Sequence, residues 1–225
     1  GLRGSWGFIG PEWAVAAATP GALFKFYATE GGIRSPLIIS GPGIAPSRID
    51  SPAMVTDIAP TLMDWIEPPA APTDAKPMTG RSLLPVLRGE VESVYAPNDI
   101  RAIEVSGNTA LYKGDYKITR SMPPAGDAQW RLFNMAVDPG DTQDLSETEP
   151  EILEDLLTEF AAYSERVGVL EMPEGYHSLE AILANTTPRI VKQYRWYLLG
   201  MGIVFLLLLY GLYRGIRMLL SRVFA

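Results

Sequence analysis

The chain has 225 residues, enough for a domain with a buried core, and carries a formal net charge of −7. It contains no cysteine, which excludes disulfides and thiolate metal sites and leaves the redox compartment unread. All 26 acidic residues and 13 of the 19 basic ones precede Arg189, a local balance of −13, whereas residues 189–225 hold six basic residues and no acid. The acidic front repels nucleic acid and excludes it as a partner; the basic, apolar tail belongs to a second physical environment.

In chain order, a loop is followed by a short helix over about Glu12–Ala18, stopped by Pro20. Trp6 and Trp13 there either line a substrate entrance or pack. Lys25 then sits among aromatics and small residues, five positions before Glu30-Gly31-Gly32. Taken by itself, Lys25 reads as a surface lysine beside a glycine turn. Paired glycines permit close backbone approaches, and the following Pro36-Leu37-Ile38-Ile39 predicts a buried parallel strand over Leu37–Ser40, ended by Gly41-Pro42-Gly43. A loop feeding a core strand is a common seat for catalytic groups. Arg34 is expected in a structural ion pair, with a substrate contact as the alternative. Residues 54–66 predict a helix with Pro60 in its first turn, capped by Thr56 or Asp57; for Asp57, capping is preferred over metal binding.

Pro68–Pro77, rich in proline and alanine, predicts a loop without a core. From Ile100 the pattern changes to short strands: Arg101–Val105, Thr109–Tyr112, Tyr116–Thr119 and Trp130–Asn134, an antiparallel meander with turns at Gly107-Asn108 and Lys113-Gly114-Asp115. Lys113 and Lys117 read as solvated strand-edge charges. Thr148-x-x-Glu151 forms a capping box ahead of a helix whose Ile152, Leu153, Leu156, Leu157, Phe160 and Tyr163 recur at helical spacing. His177, the one histidine, reads as a solvated linker residue rather than a ligand.

Trp196–Tyr213 is an uncharged run of 18 residues. As a helix it spans roughly 27 Å, near the thickness of a bilayer's hydrocarbon core. Trp196, Tyr197, Tyr210 and Tyr213 stand as interfacial aromatics, bracketed by Arg189, Lys192 and Arg195 on one side and Arg214, Arg217 and Arg222 on the other. The basic brackets are balanced and leave orientation undecided.

Several short motifs now combine. Lys25 with Glu30-Gly31-Gly32-Ile33-Arg34-x-Pro36 resembles the late active-site segment of type I, formylglycine-dependent sulfatases. Gly10-Pro11-Glu12-Trp13-Ala14 and Ala16-Ala17-Ala18-Thr19-Pro20 resemble the bacterial arylsulfatase branch. The resemblance continues through Asp57-Ile58-Ala59-Pro60-Thr61-Leu62, Gly80–Gly89 (a short helix, with Arg81 structural), Lys113-Gly114-Asp115-Tyr116-Lys117, Trp130–Met135, Asp138-Pro139-Gly140-Asp141 and Asp144-Leu145. Each motif is weak alone; their order over roughly residues 5 to 170 carries the resemblance.

The resemblance implies an α/β, alkaline phosphatase-like sulfatase fold, of which this chain is the C-terminal part. The expected divisions are the end of the catalytic α/β domain (1–92), a small antiparallel sheet-plus-helix subdomain (93–170), a linker (171–193), a transmembrane helix (194–217) and a short basic tail (218–225). It implies hydrolysis of small-molecule sulfate esters, with Lys25 as the catalytic and substrate-binding cation on a sulfate oxygen. A divalent cation, calcium by resemblance, and the formylglycine nucleophile are expected upstream of Gly1, with no metal ligand in this chain and the fragment alone inactive. Ile44-Ala45-Pro46-Ser47-Arg48 has the tail of the family's Cys/Ser-x-Pro-x-Arg motif with isoleucine in the nucleophile's place, and reads as a coincidental loop. The expected location is the cell membrane, single-pass through the C-terminal helix into the lipid bilayer, with the acidic domain on the periplasmic side. The alternatives are a phosphonate or phosphate monoester hydrolase of the same fold and a non-catalytic membrane-tethered domain.

Overall fold

A computed structural model describes residues 9–66 and 76–223. Trp6, most of the Pro68–Pro77 loop and the last two residues lie outside the described residues. The chain divides into two units, Gly1–Ser121 with Gly126–Met172, and Met122–Ala125 with Pro173–Ala225.

In the first unit, helix α1 (Pro11–Ala18) buries none of its residues and leaves Trp13 73% exposed, so this tryptophan packs no core. Helix α2 is one turn, Glu30–Ile33. The expected strand at Leu37–Ser40 does not form, and Ile38 is 91% exposed. An apolar run becomes a strand only against a neighbour, and among the described residues none pairs with it. The expected helix over 54–66 is split into a 3-10 turn, Val55–Asp57, and α3, Ile58–Ile66. Within Gly80–Gly89 only α4, Leu84–Leu87, is helical.

The meander forms as expected, with boundaries within a residue. Its strands are β1 (Arg101–Val105), β2 (Asn108–Lys113), β3 (Tyr116–Arg120) and β4 (Trp130–Asn134), antiparallel in the order β1-β2-β3-β4. The β1–β2 turn places Ser106 at φ 53° and Gly107 at φ 79°, the paired left-handed residues that a two-residue hairpin favours. Alternation then assigns the faces. The row Ala102, Leu111, Ile118 and Leu132 is buried and packs on Leu156 of α5 (Pro150–Val167), with Ile152, Leu153 and Phe160 beside it. Trp130 meets Phe160 edge-on at 4.8 Å between ring centroids. The neighbouring row, Arg101, Tyr112, Lys117 and Phe133, lies on the opposite face.

The capping box at Thr148 does not form. Helix α5 starts at Pro150 with Glu149 as its N-cap, and the Thr148 hydroxyl donates to the Leu145 carbonyl at 3.2 Å. Proline's fixed φ suits the first helical position and sets the start one residue further on.

The second unit is dominated by α6, one 46-residue helix from Ser178 to Val223 with Pro188 inside it. Helix therefore begins within the segment expected as linker, and the whole Trp196–Tyr213 run lies in it. The span Glu180–Met218 is long and apolar enough to cross a membrane, and its most apolar 18-residue window has a mean hydropathy of 1.9 with none of that window buried. His177 is half-buried just ahead of the helix rather than solvated, and its carbonyl accepts the Ala181 N–H at 3.1 Å.

Candidate functional site

The Lys25 segment is a loop closed on itself by its glycines. The Gly31 N–H donates to the Ala22 carbonyl at 3.0 Å, and the Thr29 hydroxyl donates to the same carbonyl at 2.6 Å. A Cβ on Gly31 would stand 2.4 Å from the Leu23 carbonyl oxygen, and one on Gly32 only 2.1 Å from that of Tyr27. Glu30-Gly31-Gly32 is therefore read as a close-approach motif: only hydrogen fits where the two limbs of the loop meet. Phe24 and Tyr27 pack edge-on across the bend, 5.4 Å between centroids. Lys25 is exposed at its tip, with its Nζ 5.5 Å from the Phe26 ring centre. Leu23 and Phe26, flanking it, take left-handed angles of φ 58° and 84°, unfavourable for residues with large side chains. Among the described residues no carboxylate pairs with Lys25.

The loop is fixed from beneath by a buried ionic cluster that motif reading did not anticipate. Lys117, expected as an edge charge, is fully buried (0% exposed). It lies on β3, an inner strand with neighbours on both sides. Its Nζ donates to Glu30 Oε1 and to Asp141 Oδ2, each at 2.8 Å. Asp141 Oδ2 also accepts the Glu30 backbone N–H at 2.9 Å, and the Tyr112 hydroxyl donates to Glu30 Oε1. Burial, with Glu30 beside it, pushes the Tyr112 phenol far above its ordinary range, so it remains a protonated donor. Burial also raises the Asp141 carboxyl, against the opposing pull of Lys117. Arg34 lies 3.6 Å from Glu30 Oε2, the structural ion pair expected of it.

Asp141 reaches the cluster because the Asp138-Pro139-Gly140-Asp141 turn is tightly wound. The Asp138 carboxylate accepts the Thr142 and Gln143 N–H groups at 2.7 and 2.8 Å. The sequence shows these residues as a motif, but nothing in their spacing links them to Glu30, more than a hundred positions upstream.

A second anchor is Asp57, 0% exposed. It accepts the Met54 N–H at 2.7 Å, the Arg81 N–H at 2.8 Å and the Tyr95 hydroxyl at 2.7 Å. Asp57 is not itself the N-cap as expected: Met54 holds that position, and Asp57 reaches back to its N–H from the third residue of the turn, while also tying α3 to the segment leading into α4. Arg81 pairs with Asp99 and lies over the Tyr95 ring at 4.7 Å, a structural role. Cations and rings alternate from there: Arg101 lies 5.9 Å from the Tyr95 ring and 5.1 Å from that of Tyr112, which Lys117 faces at 5.3 Å.

These carboxylates do not suit a divalent cation. Those of Glu30 and Asp141 already hold a buried ammonium, and that of Asp57 accepts N–H and O–H donors. Among the described residues no group of three or more histidine, aspartate and glutamate side chains is placed to hold a metal ion.

No family model matches the sequence. The chain is 31% identical over 179 residues to an uncharacterized sulfatase of Schizosaccharomyces pombe, covering 75% of this chain and 32% of that protein. It is 40% identical over 90 residues to an arylsulfatase of Klebsiella aerogenes, covering 37% and 19%. Over 140 residues it is 30% identical to a choline-sulfatase of Rhizobium meliloti, covering 56% and 24%. The chain thus spans about a third or less of the curated relatives it matches. The crystal structure of Ps i-CgsB in complex with k-i-k-neocarrahexaose shares the fold, with a TM-score of 0.55 at 19% identity over 78% of this chain and 39% of that one.

The fold class is the alkaline phosphatase-like sulfatase fold with its small four-stranded antiparallel sheet. In sequence the chain is similar to part of these sulfatases.

Proposed function

We propose that the protein to which this chain belongs hydrolyses small-molecule sulfate esters, aryl sulfates first among them, and that Lys25 contributes the cation that binds the sulfate. The observation that carries this reading is the position of Lys25. It is an exposed ammonium, paired with no carboxylate among the described residues, at the tip of a loop pinned by a buried ionic cluster. An ammonium offers three donors and a full charge. Hydrolysis breaks the ester bond and leaves negative charge on the sulfuryl oxygens and the departing oxygen. A fixed cation beside them stabilises that charge more than the ground state, which is what accelerates the step. The named activities of the arylsulfatase and choline-sulfatase relatives support the substrate class. Among the described residues no group of carboxylates is placed to hold the divalent cation that the resemblance implies, and we assign both it and the formylglycine to residues outside this chain.

The test uses the complete reading frame. Wild type and Lys25→Ala are assayed on paired aryl sulfate and aryl phosphonate esters, with mass spectrometry of the candidate nucleophile. Lys25→Ala should lower the sulfatase rate about a hundredfold or more. Activity indifferent to Lys25 overturns its role, and a preference for the phosphonate overturns the substrate class.

The reading extends to α6 as a single-pass anchor that holds the acidic unit outside the cytoplasm. Its support is the 18-residue uncharged run with aromatics and basic residues at both ends. The full-length protein should sediment with membranes, resist a carbonate wash and be released by detergent. Recovery in the soluble fraction would remove the anchor from the proposal.

A further inference from the structure

We propose that Asn108, at the start of β2, is a positioning residue for Lys25: its buried side chain reaches across to the Lys25 loop and fixes the strained backbone beside the lysine. This rests on the reading of Lys25 as the sulfate-binding cation.

Asn108 is 1% exposed, and its amide nitrogen is shared between two backbone carbonyls. It donates to the Val105 carbonyl at 3.2 Å, within its own hairpin turn. It donates also to the Phe26 carbonyl at 2.9 Å, 82 residues away and next to Lys25. Phe26 holds φ 84°, an angle that a non-glycine residue keeps only when its surroundings impose it. Its ring is half-exposed and offers little packing to impose anything. The Asn108 amide reaches this peptide from the sheet and holds its carbonyl. Only a side chain with two N–H donors can serve the turn and the loop together. A turn needs no such reach, so the residue type is matched to the loop as well as to the hairpin.

The chemistry gives this contact its weight. The lysine stem is long and flexible, and its direction depends on the peptide that carries it. A misplacement of about 1 Å in a group that stabilises charge can cost on the order of a hundredfold in rate.

The experiment is a double-mutant cycle on the complete protein, with kcat and KM for an aryl sulfate measured for wild type, Asn108→Ala, Lys25→Ala and the double variant. Asn108→Ala is expected to lower kcat by about tenfold or more with KM changed much less, and to lower it less than about twofold once Lys25 is already alanine. If Lys25→Ala keeps wild-type activity, the reading of Lys25 falls and Asn108 falls with it. If Lys25→Ala is impaired while Asn108→Ala is not, or if the Asn108 effect repeats undiminished without Lys25, the positioning role alone is overturned. Asn108→Ser is the second variant, since its shorter hydroxyl fills the turn without reaching Phe26. It should reproduce the kcat loss at a near-normal melting temperature. Failure of both variants to fold would assign Asn108 to the turn alone and overturn the proposal.

Discussion

Lys117→Met should lower the stability of the unit that contains the sheet by about 3–5 kcal/mol, read as a shift of the urea midpoint of the complete protein. The side chain is fully buried, so methionine fills its volume. What it cannot do is compensate the charges left behind: Glu30 and Asp141 each lose an ammonium at 2.8 Å inside the protein. Breaking a buried pair costs more than the pair itself contributes, because an uncompensated charge remains out of water. The pH dependence has a definite sign. Asp141 already binds its proton more tightly folded than unfolded, because burial raises its carboxyl. Losing Lys117 raises it further, so protonation favours the folded variant, and its deficit should shrink as pH falls through that raised value. Lys113→Met is the control. Lys113 lies on the neighbouring strand and pairs with Asp155 and Glu159 at the surface, where such pairs contribute little. Equal midpoints for the two variants would sink the argument.

Gly32→Ala should open the Lys25 loop. A Cβ at Gly32 would sit 2.1 Å from the Tyr27 carbonyl oxygen and 2.7 Å from that of Phe24. Both obstacles are backbone, which cannot rotate aside as a side chain can, so the loop's two limbs must part. Overpacking of this kind costs about 1–3 kcal/mol; under the role proposed for Lys25 the larger effect is on activity, since the parted limbs carry that lysine. The complete protein bearing Gly32→Ala should lose sulfatase activity to about the degree of Lys25→Ala, and trypsin should cut after Lys25 markedly faster than in wild type. Unchanged cleavage and activity would show that the loop tolerates the methyl and that its closure is not what places the lysine.

The meander was legible because alternation and turn residues are local signals, and the register follows once they are fixed. The α5 stripe was legible for the same reason. Lys117 was not. In Tyr116-Lys117-Ile118-Thr119 it alternates like an exposed residue, and a sheet with one wet face would have left it in water. This sheet is covered on both faces, and the cover on the second face is a loop that begins 80 residues earlier. Leu37–Ile39 shows the converse: its hydrophobicity was read correctly, but a strand is a relation between segments and not a property of one. At Thr148 two local signals competed, and the proline two residues later won. Lys25 itself was singled out by motif. Its supports, Glu30, Asn108, Tyr112, Lys117 and Asp141, come from four separate stretches that converge only in space.

That convergence bears on how relatives of this protein can be recombined. The loop and the sheet are joined by a three-charge contract written in distant parts of the chain: Glu30 before it, Lys117 in the middle, Asp141 after. A crossover between residues 34 and 101 would join one parent's loop to another parent's sheet. Unless both parents carry acids and a base at the same three places, the chimera inherits an unbalanced charge in its interior. Residues 20–141 therefore travel as one heritable block, although α3 and α4 lie between its two functional ends. Exchange on either side of that block leaves the seat of Lys25 untouched.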